Sequence, residues 1–216
     1  GGPGSGPVAV KKHLEPYLPV PTVGLEDRFY YLDYDRPKSI GKVKSFYGNF
    51  GVLVRAWAYI KTMGGNGLKE VTEMAVLNAN YMLHKLSKYY EMPYGAEGMH
   101  EFVLSGKGLK KHGLITKDLA KIILDHGFHP PTVYFPLIVD EAIMIEPTET
   151  ESVEEMDRFC TLLQDIAEGK GLKKDAPGFP NNYPEKTARG RLDEVKAAKD
   201  MILTYKAYKE SQQKKV

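Results

Sequence analysis

The stretch DHGFHPPTVYFPLIVDEAIMIEPTETES occupies residues 125–152 and sets the architecture of the second half of the chain. Two short runs of apolar and β-favouring residues, at 132–135 and 143–146, lie between turn formers, which predicts a pair of strands. The glycine and two prolines of DHGFHPP end any helix that precedes them. The stretch therefore predicts two paired strands that follow one helix and lead into another.

Helices are predicted on both sides of this strand pair. One spans about 116–126 and the other about 152–168, where apolar side chains keep the i, i+3, i+4 rhythm and two glutamates lie in the first turn. A further strand is predicted at 101–104. Strands and helices in this order are typical of a small α/β sandwich, which we place at residues 91–168.

Two helices are predicted before the sandwich. Apolar residues recur at helical spacing over about 50–63 and again over about 68–90, and Gly64-Gly65 supplies a stop between them. The second helix carries two adjacent apolar stripes, which indicates contacts on two sides. Residues 50–90 are therefore predicted to link two parts of the protein.

The two ends of the chain have weaker patterns. Near the beginning, residues 8–10 and 29–32 are predicted strands, because β-favouring residues cluster between turn formers. Residues 169–188 are rich in Gly, Pro and Asn and lack periodicity, and a last helix is predicted over about 188–210. This basic tail, residues 169–216, carries 12 Lys/Arg against 6 Asp/Glu.

Composition excludes several classes of protein. At 216 residues and 42% apolar content the chain can bury one core, and no window approaches the roughly 20 apolar residues of a membrane span. The tail mixes both signs of charge, which disfavours nucleic-acid binding and indicates a solvated face or docking onto an acidic partner. A lone Cys160 cannot form an internal disulfide, which fits a cytoplasmic location.

Two loops are candidates for binding an anion. In the opening run, Gly1, Gly2, Gly4 and Ser5 offer free amides and a hydroxyl to a phosphate, although a simple linker has the same composition. Gly48 and Asn49 lie directly before a predicted helix, where exposed N–H groups favour a phosphate. Asn49 alternatively acts only as an N-cap.

Histidines and acids supply the other candidates. His100 and Glu101 precede a strand, so only one of them can point into a given pocket, and a structural histidine is the alternative. We predict no metal site, since the turn after His126 separates it from His129. The acids around Glu146 and Thr148 precede a helix, whose capping explains much of their presence.

Five blocks in order resemble one family, the glycine-cleavage P-protein or glycine dehydrogenase (decarboxylating), over the C-terminal portion of its separate subunit 2. They are GGPGSGPVAVKKHLEPYLPVP at 1–21, DYDRPKSIGKVKSFYGNFGVLVRAWAYIKTMGGNGLKEVTEMAVLNANYM at 33–82, MHEFVLS at 99–105, residues 125–152 and RLDEVKAAK at 191–199. The resemblance implies an α/β fold, the C-terminal part of a type I pyridoxal-phosphate-dependent transferase. The large cofactor domain would end with residues 1–49, and two linking helices would follow at 50–90. The small domain would be residues 91–168, and the tail residues 169–216.

The resemblance also implies a function. The family decarboxylates glycine with pyridoxal phosphate and passes the aminomethyl group to the lipoyl arm of H-protein. In the family a His-Lys pair before the glycine run carries the Schiff-base lysine, and no lysine here occupies that position. We therefore expect no catalysis from this chain alone. The implied partners are P-protein subunit 1, a second copy of this chain and lipoylated H-protein, with glycine as substrate.

Site residues follow from the same resemblance. Gly1, Gly2, Gly4, Ser5, Gly48 and Asn49 would lie at the cofactor, and His100 would stack on its ring or bind the substrate carboxylate. Glu101, His129, Glu146 and Thr148 would line the channel for glycine or the lipoyl arm. Two alternatives remain: a non-catalytic binding or structural domain that reuses the small-domain fold, and another type I pyridoxal-phosphate enzyme, such as an amino-acid decarboxylase. We also expect apolar surface around Trp57 and Tyr59, and symmetric association through residues 50–90.

Overall fold

A computed structural model describes residues 4–172, 174, 179, 186 and 190–213. The chain divides into two units, Gly1–Lys69 and Glu70–Val216. Helix α1, Phe50–Leu86, passes from the first unit into the second. It is broken at Gly64, whose φ of 64° and ψ of −178° are not helical, so the predicted stop lies where the sequence placed it.

The first unit contains a 3-10 helix, Lys12–Tyr17, and a hairpin of strands β1, Thr22–Glu26, and β2, Phe29–Asp33. The strands pair antiparallel, with Glu26 opposite Phe29 across a two-residue turn. The prediction of a strand at 29–32 is confirmed. The prediction of a strand at 8–10 is wrong, because those residues pair with neither strand of the hairpin and both valines are exposed.

Large apolar side chains stay uncovered throughout the described part of the first unit. No described residue before position 70 is buried. Phe46 is 80% exposed, Phe50 78% and Trp57 64%. The expected apolar surface around Trp57 and Tyr59 is therefore present.

The second unit is built on a three-stranded antiparallel sheet in the order β3-β5-β4. The strands are β3, Phe102–Ser105, β4, Thr132–Val133, and β5, Ala142–Ile145. Helices α2, Thr116–Asp125, and α3, Val153–Glu168, flank the sheet in sequence, and a 3-10 helix, Gly106–His112, follows β3. The predicted strand pairing is confirmed, although β4 has two residues instead of four.

One apolar core holds the second unit together. It joins the end of α1 to the sheet, α2 and α3, since each element has the periodic apolar face that the sequence showed. The fully enclosed side chains include Leu86, Leu104, Leu119, Ile122, Ile123, Ile143, Leu163 and Ile166.

The tail forms two short helices, α4, Glu194–Lys199, and α5, Tyr205–Gln213. The prediction of one helix over about 188–210 is wrong for residues 190–193 and 200–204, and residues 188–189 lie outside the described part. The expected apolar stripe stays exposed, with Val195 at 64% and Ile202 at 51%, so no packing holds a continuous helix. Thr204 instead caps the N-terminus of α5, because its side chain accepts a hydrogen bond from Ala207 N at 3.2 Å.

Candidate functional site

The second unit contains a cavity of about 330 Å³ at the end of strand β5. Three of the four predicted channel residues, His129, Glu146 and Thr148, line it. The remaining lining residues are Met82, Gly127, Phe128, Pro130, Pro131, Ile145, Pro147, Glu151, Glu155, Met156 and Phe159. Sequence reasoning therefore found part of the rim of a real cavity.

Two helices hold the loop of residues 146–152, which carries Glu146, Thr148 and Glu151 at the rim of the cavity. Asn78, which is 3% exposed on α1, donates its side-chain amide to the carbonyl of Thr148 at 2.9 Å. Ser152 caps α3 by accepting a hydrogen bond from Glu155 N at 3.2 Å. The loop between Glu146 and Ser152 is thus tied at both ends, which fixes the rim side chains.

The floor of the cavity is apolar. Met82, Ile145 and Met156 are 3–5% exposed. Phe128 and Phe159 meet edge to face, with ring centroids 5.3 Å apart and an interplanar angle of 82°. A floor of this kind excludes water from whatever occupies the cavity.

His100 and Glu101 separate as their adjacent positions predict. Strand β3 pairs Phe102 with Ile145, which brings His100 close to Glu146, and His100 Nε2 lies 3.8 Å from Glu146 Oε1. Glu101 instead lines a second cavity of about 220 Å³, together with Leu83, Tyr94, Gly95, Gly98, Phe102, Val103, Pro136 and Met144. The structure therefore groups His100 with the first cavity and leaves Glu101 apart from it.

The first unit brings two predicted cofactor segments together. Asn49 donates its side-chain amide to the carbonyl of Gly4 at 2.8 Å, across 45 residues of sequence. Gly48 has a φ of 110°, and a Cβ added there would lie 3.3 Å from Lys44 Nζ. Ser5 is exposed, and Gly1 and Gly2 lie outside the described residues.

A charged cluster joins α3 to α1 beside the core. Tyr81 donates to Asp157 Oδ1 at 2.6 Å, and Lys85 Nζ contacts the same oxygen at 2.5 Å. The hydrogen bond from Lys85 lowers the pKa of Asp157, and the same bond raises the pKa of Lys85. Burial raises the pKa of the Cys160 thiol to about 12, so this thiol is not a nucleophile near neutral pH.

Sequence reasoning missed several cavity residues. Glu155 was interpreted only as an acid that favours a helix start, and Glu151, in the acidic segment that contains Glu146 and Thr148, was not chosen as a channel residue. Met82 and Met156 were interpreted only as parts of apolar stripes. The one signal in the sequence was position, since Glu151, Glu155 and Met156 all lie within a few residues of the start of α3. In the described part of the chain, no group of three His, Cys, Asp or Glu side chains is placed to hold a metal. Nor does any described helix have the length and apolar character to cross a membrane.

Comparison with solved structures defines the class of fold. The chain matches the crystal structure of glycine decarboxylase (P-protein) of the glycine cleavage system in inhibitor-bound form, with a TM-score of 0.58 at 17% identity. The match covers 73% of this chain and 38% of that one. The predicted fold, the C-terminal part of this α/β transferase class, is confirmed.

Comparison of sequences then gives the family. Residues 71–176 match the family model for the glycine dehydrogenase C-terminal domain. The chain is 56% identical to the probable glycine dehydrogenase (decarboxylating) subunit 2 of Bacillus licheniformis, over 95% of this chain and 42% of that protein. The probable subunit 2 of Halalkalibacterium halodurans is 55% identical, over 95% of this chain and 41% of that protein. The chain belongs to the glycine dehydrogenase (decarboxylating) family, and it spans about two fifths of the length of these curated relatives.

Proposed function

We propose that this chain is the part of glycine decarboxylase, the P-protein, that helps to decarboxylate glycine and to pass its aminomethyl group to the lipoyl arm of H-protein. The observation that carries the proposal is the identity of 53–56% over at least 95% of the chain to relatives named glycine dehydrogenase (decarboxylating) subunit 2. The cavity lined by His129, Glu146 and Thr148 supports it, because those residues were expected at a substrate channel.

The domain assignment follows from this proposal. Residues 1–49 end the large cofactor domain, 50–90 are linking helices, 91–168 form the small domain, and 169–216 form a basic tail. The partners are P-protein subunit 1, a second copy of this chain and lipoylated H-protein, and the location is cytoplasmic. We expect no turnover from the isolated chain, since none of its lysines matches the position of the family's Schiff-base lysine.

The loops of the first unit fit the phosphate of pyridoxal phosphate. Gly48 has a backbone conformation that favours glycine, a lysine ammonium stands next to it, and α1 begins two residues later. Gly4, Ser5, Gly48 and Asn49 would hold the phosphate. When bound, the cofactor supplies an electron sink for the electron pair that carbon dioxide leaves behind.

The cavity of the second unit serves the substrate side. His100 Nε2 lies 3.8 Å from Glu146 Oε1, which lines the cavity. His129 and Thr148 line the cavity and offer polar contacts to a substrate at its rim.

The test uses the complete subunit 2 mixed with subunit 1 and H-protein. We expect yellow absorbance from bound cofactor and glycine-dependent exchange of labelled carbon dioxide. Glu146→Gln should reduce the exchange about tenfold, which corresponds to about 1.4 kcal/mol of transition-state stabilisation. Glu154→Gln is the matched control, since Glu154 lies on α3 but does not line the cavity. A folded assembly with neither absorbance nor exchange would favour the non-catalytic binding or structural domain instead.

A further inference from the structure

The cavity of the second unit has a volume and a floor suited to an apolar arm. Its volume of about 330 Å³ lies at the lower end of the range of about 300–1,000 Å³ that is usual for small-molecule sites. Met82, Ile145, Met156 and Phe159 are almost fully buried beneath it. Methionine sulfur is polarisable and adapts to the shape of a ligand, including one that itself contains sulfur.

The rim of the same cavity is negatively charged. Three carboxylates line it, those of Glu146, Glu151 and Glu155, and no lysine or arginine is among the described residues that do so. Glu155 pairs at 2.5 Å with Arg158, whose guanidinium lies 5.1 Å from the centroid of the Phe128 ring. Among the described residues, Glu146 and Glu151 therefore have no lysine or arginine partner at the rim.

Two of the carboxylates are available to a ligand. Glu146 has only His100, at 3.8 Å, and both side chains are more than half exposed. Among the described residues, the Glu151 carboxylate has neither an ion-pair nor a hydrogen-bond partner. Negative charge above an apolar floor attracts a cation and repels an anion, more strongly than in open water because the floor is dry.

We propose that this cavity binds an apolar arm that ends in a protonated primary amine. The ligand's hydrocarbon lies on the floor of Met82, Met156 and Phe159, and its ammonium lies between Glu146 and Glu151. The cavity therefore distinguishes arms by the charge of their tips. It binds the amine better than a neutral arm of equal length, and a carboxylate-tipped arm least.

The natural ligand follows if the proposed function holds, and this step rests on it. An aminomethyl group carried on a lipoyl arm is a primary amine on a sulfur-containing apolar chain. The unloaded arm ends in neutral sulfur. The carboxylate rim then favours the loaded arm over the unloaded one, so the cavity is a holding site for the product before it leaves.

The experiment measures binding of three probes to the chain of residues 1–216. Hexylamine, hexanol and hexanoate share one hydrocarbon length and differ in the charge of the tip. Methyl-¹³C methionine labelling gives a readout at the floor, through Met82 and Met156. We expect saturable shifts of those two methyls, with hexylamine bound about tenfold more tightly than hexanol and hexanoate bound least.

Variants test the source of the preference. Glu146→Gln and Glu151→Gln conserve side-chain size and should each lower the preference for hexylamine about threefold, whereas Glu154→Gln should leave it unchanged. An unaltered methionine spectrum of each free variant shows that the fold is intact. Equal affinity for hexylamine and hexanol, or shifts confined to methionines away from the floor, would overturn the inference. If the complete enzyme exchanges carbon dioxide but the cavity does not prefer the amine, only this inference is overturned. If the cavity prefers the amine but the complete enzyme shows no exchange, only the proposed function is overturned.

Discussion

Asn78 on helix α1 donates its side-chain amide to the backbone carbonyl of Thr148, 70 residues further along the chain, at 2.9 Å. This single bond joins a helix of the core to the loop that forms the cavity rim. Asn78 is 3% exposed, so its amide relies on a protein acceptor, and the Thr148 carbonyl supplies one. The rim and the core are therefore coupled.

Replacing Asn78 should loosen the rim and destabilise the second unit. Asn78→Ala removes a buried donor and leaves the Thr148 carbonyl without it, so we expect a loss of about 1–2 kcal/mol in the free energy of unfolding, measured by urea denaturation. Asn66→Ala, on an exposed position of the same helix, is the control. Equal stability of the two variants would show that the bond does not contribute.

Attachment of the tail to helix α2 should depend on Arg191. Its guanidinium donates to both carboxylate oxygens of Asp118, at 3.0 and 2.6 Å, and to the carbonyl of Gly113 at 2.8 Å. Asp118 is 1% exposed, so Arg191→Ala leaves a buried carboxylate without its cation. Loss of a fully buried pair costs about 3–5 kcal/mol. Because Arg191 is partly exposed, we expect about 2 kcal/mol.

Urea denaturation and limited proteolysis of the tail check this expectation. Arg191→Lys keeps the charge but not the bidentate geometry, and should give an intermediate loss in the free energy of unfolding. Lys196→Ala, an exposed tail position, serves as control. A tail that is cleaved equally fast in all three variants would contradict the role assigned to Arg191.

The Asp157 cluster predicts a pH dependence of stability. The pKa of Asp157 is lowered from its usual 3.8 by Lys85 and Tyr81, so the folded state holds the charged carboxylate more strongly than the unfolded chain does. Its contribution is fully present above pH 3.8 and is lost as pH falls through the lower folded-state pKa. Unfolding free energies measured from pH 7 to pH 2 should therefore converge for the parent and Asp157→Asn at the acid end. A constant difference would contradict this.

The Cys160 thiol should be unreactive in the folded chain. It is fully buried, and burial raises its pKa to about 12. At pH 8 the thiolate fraction is then about one in ten thousand. Iodoacetamide followed by mass spectrometry should show no modification of the folded chain and complete modification in urea. Rapid labelling without urea would mean that α3 opens.

Apolar surface on the first unit should drive self-association of the isolated chain. Phe50 and Trp57 are both more than 60% exposed on the first half of α1. Light scattering should show dimers or larger species whose fraction rises with concentration, and Trp57→Lys should shift the population toward monomer. Lys61→Ala on the same helix is the control. A compact monomer at high concentration in the parent chain would contradict the expectation.

Periodicity explains what could be predicted from the sequence. Strands β3 and β5 and helices α2 and α3 each bury a face, so their apolar spacing marked them within one or two residues. Residues 8–10 have the composition of a strand, but pairing depends on a partner that composition does not reveal. The tail was predicted as one helix for the same reason, since spacing at Val195 and Ile202 does not show that neither side chain finds anything to pack against.

The site was predictable only in part. His129, Glu146 and Thr148 were chosen through a family resemblance, and the structure brings them around one cavity. Glu101 was chosen with them but lies at a different cavity, because successive residues of a strand face opposite sides and it is His100 that approaches Glu146. Glu151 and Glu155 were missed as rim residues, since acids near the start of a helix have a sufficient local explanation in the helix dipole.

The most direct test of the proposed function replaces the matching segment of the Bacillus licheniformis subunit 2 with this chain. The chimera is mixed with subunit 1 and lipoylated H-protein, and exchange of labelled carbon dioxide into the carboxyl group of glycine is measured. We predict exchange within about tenfold of the unaltered relative, since the two proteins are 56% identical over 95% of this chain. A chimera that folds, binds cofactor and assembles but shows no exchange would contradict the account.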